Sequence, residues 1–142
     1  CPEPEILQLG LNGLYALASG MFPPEQVKAA FELRLMCLSG YRPELEGCAK
    51  CGKVDIESGY LVPAHGELYC EDCPRPDGLP VDRAVIEAMR YIVDAAPKRI
   101  FSFRLDDEGI RRLGQVCEAY ALYELDRGFA SLDYYKKVRN SK

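Results

Sequence analysis

The 142-residue chain is 48% hydrophobic with a net charge of −4 at pH 7, enough apolar material for one ordinary core and too little positive charge for a uniformly basic nucleic-acid binder. No run approaches the roughly 18 to 20 uninterrupted apolar residues of a membrane span, and no basic stretch leads into an apolar one, so a soluble chain without membrane contact is expected. The first residue is cysteine rather than methionine, which leads to the expectation of a fragment or a processed chain.

In chain order, EILQLGLNGLYALAS (Glu5 to Ser19) sets Ile6, Leu9, Leu14 and Leu17 at near-helical spacing with almost no charge. This predicts a largely buried helix that ends at Gly20. The next segment, FPPEQVKAAFELRLMCLSG, opens with prolines suited to a first helical turn, places Glu25 where the helix dipole favours an acid, and stops at Gly40. Val27, Phe31, Leu35 and Leu38 make one apolar stripe and Ala29, Leu33 and Met36 another, leaving Glu25, Lys28 and Glu32 as a polar edge. A helix so patterned belongs inside a bundle.

Residues 48 to 73 change character. The β-prone pieces GYLVP and ELYC flank AHG, predicting a small hairpin between two cysteine pairs. Helical periodicity resumes at Asp82, a capping residue, with Val85, Met89, Ile92 and Ala96 on one face. Arg83 with Glu87 and Arg90 with Asp94 are placed for i,i+4 pairs before Pro97 ends the run. A last helix is predicted from near Asp106, with Asp106, Asp107 and Glu108 at its positive end, Ile110, Leu113, Cys117 and Tyr120 in register, and a break at Gly128.

The fold class expected is therefore mainly α. A helical bundle is formed by residues 1–47 and 77–142, with residues 48–76 as an inserted finger in one composite domain.

Cys48, Cys51, Cys70 and Cys73 follow C-x2-C-x18-C-x2-C, the spacing of a four-thiolate zinc site. Each pair offers two sulfurs from one tight turn, and the hairpin brings the second pair back to the first. A closed set of four sulfurs leaves no open position for an activated water, so one structural Zn2+ that folds the finger is expected. Buried thiols, a redox dithiol and an iron–sulfur cluster are the alternatives. An odd total of seven cysteines also argues against a disulfide framework and for a reducing cytoplasm.

His65, the single histidine, falls at the hairpin tip and is expected to face solvent. Cys37 and Cys117 lie on apolar helix faces and read as core. Tyr120, Tyr123, Tyr134 and Tyr135, at helical spacing beside leucines, read as core rather than as a base-stacking platform. There is no phosphate-binding G-x-x-x-x-G-K-[ST] loop and no G-x-S-x-G elbow, and one histidine cannot build a multi-histidine metal site. The reading is of a protein that is not an enzyme.

Charge is uneven. Residues 1–97 hold eight basic against fifteen acidic residues, net −7, whereas residues 98–142 hold ten against seven, net +3. Lys98, Arg99, Arg104, Arg111, Arg112, Lys136, Lys137 and Arg139 are the candidate nucleic-acid contacts in this basic third, against the plainer reading of a solvated charged face.

The order of the segments FELRLMCLSGYRPELEGC, CAKCG, LVPAHGELYCEDC and YALYELDRGFASLDYY resembles the RecO family of bacterial recombination mediators, from about Pro4 to Val138. The run from Phe31 to Leu45 is its most specific part. The resemblance implies the C-terminal region of such a protein, an α-helical domain with an inserted zinc finger held by Cys48, Cys51, Cys70 and Cys73. Nothing here resembles the family's N-terminal, DNA-binding OB-fold.

The implied role is in DNA repair and recombination, in annealing strands and loading the RecA recombinase at the bacterial nucleoid in the cytoplasm. The implied partners are RecR, single-stranded DNA and the acidic C-terminal tail of the single-stranded-DNA-binding protein. Lys28, Phe31 and Arg34 are the candidate tail contacts, because such a tail needs an apolar pocket and nearby cations. Ala29 and Ala30 stand where relatives are often basic. The rival expectation is a zinc-stabilised adaptor that binds only protein.

Overall fold

The computed structural model describes the backbone of residues 3–140 and the side-chain environments of residues 3–127. Four helices form the body: α1 (Glu3–Ser19), α2 (Pro24–Leu38), α3 (Arg83–Asp94) and α4 (Asp107–Asn140). Between α2 and α3 lie three short strands, β1 (Ser58–Val62), β2 (Glu67–Cys70) and β3 (Leu79–Asp82), and a 3-10 turn at Pro97–Arg99 separates α3 from α4. The expected helical bundle with an inserted finger is the fold the chain adopts.

Helix α2 is the axis of the body, in contact with α1, α3 and α4. Its first turn is set by proline, with the Gln26 and Val27 amides donating to the Pro23 carbonyl. Ala29 and Ala30 are fully buried, and their small side chains let neighbouring helices approach closely around Leu33 and Met36. Buried among them is Gln26, 2% exposed, whose Nε2 donates to the carbonyls of Phe101 (2.8 Å) and Phe103 (2.7 Å). One amide thereby fastens the segment before α4 onto α2.

Helix α1 departs from expectation. Only Leu9, Gly13 and Ala16 are buried, while Leu7, Leu11, Leu14, Tyr15 and Leu17 are exposed. The helix meets α2 and the 3-10 turn along one narrow seam, so its remaining apolar residues face outward among the described residues.

The strands form an antiparallel sheet in the order β2-β1-β3, with Gly59 opposite both Cys70 and Val81. The hairpin matches the expected one. Strand β3 was not predicted, because Pro74, Pro76 and Pro80 mark residues 74–80 as loop. As an edge strand it tolerates Pro80, which cannot donate to a ladder.

Asp82 caps α3 as predicted, its Oδ1 accepting from the Val85 amide at 3.0 Å. Neither i,i+4 pair forms. Arg83 reaches Asp55 and Glu57, Arg90 pairs with Glu87 and donates to the Leu45 carbonyl, and Asp94 takes Arg42. An exposed i,i+4 pair contributes only about 0.3–0.5 kcal/mol, too little to hold an arginine that has a bidentate or backbone alternative. Helix α4 begins with Asp106 Oδ1 accepting from the Gly109 amide and runs unbroken past Gly128, contrary to the expected break. A mid-helix glycine costs about 1 kcal/mol, which weakens a long helix without ending it.

Buried residues of the body and of the finger belong to one continuous core, in which Leu61, Val62 and Leu68 join Leu33, Ile86, Ile92 and Leu113.

Candidate metal centre

The first cysteine pair sits on a tight turn in which the Cys48 amide donates to the Lys53 carbonyl (2.8 Å) and the Gly52 amide returns to the Cys48 carbonyl (2.9 Å). Gly52 reverses the chain at φ +80°, a conformation that side chains resist. The second pair leaves β2 on a turn closed by the Cys73 amide and the Cys70 carbonyl (3.0 Å). Ala49 donates to the Leu68 carbonyl at 2.8 Å, which locks the first turn against β2.

These turns bring the sulfurs of Cys48, Cys51, Cys70 and Cys73 within 4.8 Å of one another, with Cys51 Sγ and Cys70 Sγ 3.6 Å apart. Sulfurs about 2.3 Å from a tetrahedral metal lie about 3.8 Å from each other, so the spacing fits. No disulfide links them, and Cys48, Cys70 and Cys73 are buried while Cys51 is exposed. An all-sulfur donor set suits a soft or borderline cation such as zinc.

The electrostatics agree. Burial opposes ionisation of Cys48, but amides of Cys51, Cys70 and Lys50 aimed at its sulfur outweigh burial and lower its pKa to about 6. Cys73 is pushed up to about 12 by burial and by the other sulfurs, the frustration of several thiols that compete to ionise without a cation.

The finger is joined to the helices at several points. The Glu44 amide donates to the Gly66 carbonyl at 2.7 Å. At the hairpin tip Gly66 (φ +63°) lies against the Tyr120 ring, where an added Cβ would come within 2.8 Å of the aromatic carbon. His65, beside it, is exposed as expected.

Other expected residues are dispersed. Lys28 and Phe31 line an apolar groove of 550 Å3 between α1 and α2, with Leu14, Leu17 and Val27. The Lys28 ammonium lies 3.3 Å from Glu32 and 3.7 Å from Glu118. Arg34 points elsewhere, its Nη1 donating to the carbonyls of Ile92 (2.8 Å), Val93 (3.3 Å) and Ala95 (2.8 Å) at the end of α3. Lys98, Arg99 and Arg104 are exposed on the segment that joins α3 to α4. Arg111 pairs with Glu108, and Arg112 is half-buried on the same helical turn.

Lys136, Lys137 and Arg139, with Tyr134 and Tyr135, lie outside the residues whose side chains are described. Cys117 is buried and its thiol is pushed up by burial, as a core residue should be. Tyr120 is buried too, but Tyr123 is half exposed, contrary to its reading as core. Gln26 was missed: a glutamine inside an amphipathic helix carries no local mark of its role.

Fold and site together define a helical domain stapled to a four-cysteine finger. The family model described as "Recombination protein O C terminal" matches residues 1–133, and the chain belongs to that family. Similar proteins include the DNA repair protein RecO of Acetivibrio thermocellus, 31% identical over 143 residues that cover 99% of this chain and 57% of the relative. The RecO proteins of Nocardioides sp. (27% over 146 residues, 95% and 56%) and Frankia casuarinae (32% over 138 residues, 96% and 55%) are also similar. The chain spans about half the length of these curated relatives.

Proposed function

We propose that this chain is the C-terminal part of a RecO-like recombination mediator in DNA repair. It supports strand annealing and RecA loading by binding single-stranded DNA, the single-stranded-DNA-binding protein's tail and RecR, without catalysis of its own. The family match over residues 1–133 carries this reading. The four-cysteine centre fits one structural zinc ion per chain, held by Cys48, Cys51, Cys70 and Cys73. Residues 48–76 serve as an insertion in one composite domain, and the expected location is the bacterial cytoplasm at the nucleoid. No helix among the described residues is long and apolar enough to cross a membrane, in keeping with that location.

The groove between α1 and α2 supports tail docking. Leu14, Leu17, Val27 and Phe31 offer an apolar seat, and Lys28 stands at its edge. Arg34 is committed to α3, and Lys28 must exchange Glu32 and Glu118 for a tail carboxylate. The seat therefore draws more on apolar burial than on charge.

A second reading, an adaptor that binds only protein, is favoured by the apolar surface α1 exposes. A fluorescence-anisotropy titration of the metal-loaded chain separates the two. A labelled single-stranded oligonucleotide at two salt concentrations and a labelled acidic tail peptide ending in apolar residues are run in parallel. The mediator reading expects oligonucleotide binding that weakens steeply with salt, and peptide binding that Leu14→Gln reduces. Peptide binding alone would establish the adaptor.

A further inference from the structure

On the opposite flank of α1 from the apolar groove is a cleft of 510 Å3, walled by Gln8, Asn12 and Tyr15 of α1 and by Lys98, Phe101 and Ser102. Its lining combines amides, a hydroxyl, an ammonium and aromatic rings. Phe101 is 2% exposed, and the Gln26 amide holds the backbone on both sides of Ser102. The wall carrying Lys98 and Ser102 is thus fixed to the body.

Three features of the cleft ask for one kind of ligand. The Tyr15 ring is 76% exposed, a large aromatic face with no covering residue among those described. Asn12 accepts from Gln8 Nε2 at 2.9 Å, which orients the exposed Gln8 amide at the cleft wall. Lys98 in the cleft wall is uncommitted: Arg42, Arg75, Arg83, Arg90, Arg111 and Arg127 each pair with a carboxylate, whereas Lys98, with Arg99 and Arg104 near it in sequence, forms no ion pair among the described residues, as Arg34, Lys50 and Arg112 also form none. Along residues 101–105 burial alternates, so exposed Arg104 shares the outward side of this segment with Ser102.

We propose that this cleft binds a nucleotide unit of a single-stranded nucleic acid: Tyr15 stacks on the base, the exposed Gln8 amide and Ser102 hydroxyl meet its hydrogen-bonding edge, and Lys98 meets the phosphate. A base has the flat face an exposed ring needs and polar edges for the Gln8 amide and Ser102 hydroxyl, and its backbone carries the charge that unpaired cations attract. An acidic peptide would satisfy the cations and the amide, but its carboxylates offer the ring no flat face. The proposal rests on the reading of the chain as a strand-handling protein and specifies where that contact lies.

The test is binding of a labelled thymidine oligonucleotide to the metal-loaded chain and to Tyr15→Ala, Tyr15→Phe and Lys98→Gln. A 5-iodouracil version of the strand is used for photocrosslinking, with the linked residue found by mass spectrometry. Tyr15 and Lys98 are exposed, so unchanged melting temperatures confirm intact folds. Tyr15→Ala is expected to weaken binding by roughly tenfold or more, Tyr15→Phe to retain it, and Lys98→Gln to lower the salt slope by about one, with crosslinks at Tyr15. Wild-type binding that both Tyr15→Ala and Lys98→Gln leave unchanged would overturn the cleft and spare the strand-handling reading. No binding by the wild type at low salt would overturn both, and an acidic peptide that binds in a Tyr15-dependent way without any oligonucleotide binding would reassign the cleft to protein.

Discussion

The Tyr120 hydroxyl of α4 donates to the Tyr41 carbonyl at 2.7 Å, across 79 residues of sequence, while the same ring covers Gly66 at the hairpin tip. One side chain thus ties α4, the end of α2 and the finger. Tyr120→Phe should cost about 1 kcal/mol in urea unfolding at pH 8, the net contribution of a single hydrogen bond. Burial, with Glu124 nearby, raises the phenol above its ordinary value of 10. A folded pKa above the unfolded one makes the stabilisation complete below about pH 10 and lost as pH rises beyond it. The gap between wild type and Tyr120→Phe should therefore narrow between pH 9 and 12, and a gap independent of pH would refute this.

Removal of one sulfur should empty the centre. Cys73→Ser leaves three thiols, and a structural zinc site contributes its binding energy directly to folding. Elemental analysis is expected to fall from about one zinc per chain to a small fraction. Limited proteolysis should then open residues 48–76, and the melting temperature read from the helical signal should fall too, because finger and helices share one buried core. Full zinc occupancy in Cys73→Ser would rule out four-sulfur coordination.

Gln26 holds the wall of the cleft. Gln26→Leu keeps the volume but leaves the Phe101 and Phe103 carbonyls without their donor, at an expected cost of about 1–3 kcal/mol. Hydrogen exchange should quicken in residues 99–105 and stay unchanged in the finger. Uniform acceleration would mean that the amide serves global packing only.

Arg34 closes the end of α3. Its guanidinium serves three carbonyls left open where the helix stops at Asp94, so Arg34→Ala should destabilise by about 1.5–3 kcal/mol. Lysine, a point charge without the planar fork, should restore less than half of that in the same unfolding assay. Tail-peptide affinity should be unaffected by Arg34→Lys, since the residue stands away from the groove.

The cysteine spacing, the Asp82 cap, the prolines opening α2 and the hairpin around His65 were legible because each depends on a few adjacent residues. Chemically distinctive groups at fixed offsets constrain the backbone whatever surrounds them. Strand β3 was illegible because Pro80 within it and Pro74 and Pro76 before it argue for loop, and only pairing along Ser58–Leu61 of β1 outweighs them. The role of Gln26 was equally hidden: a buried amide is specified by two carbonyls some 75 residues away.

What the sequence determined by itself is the four helices, the hairpin and the clamp: the helix starts near Pro24, Asp82 and Asp106 and four thiols with the spacing of one centre. Only the tertiary structure decided that α1 leaves Leu7, Leu11 and Tyr15 uncovered, that Arg83 leaves Glu87 for Asp55 and Glu57 while Arg90 takes Glu87 instead of Asp94, and that Lys98 shares a cleft with an exposed amide and an exposed ring. Local conformation follows from dihedral preferences and capping. Burial and charge pairing belong to whatever else arrives in the same place, and that is settled when the helices pack.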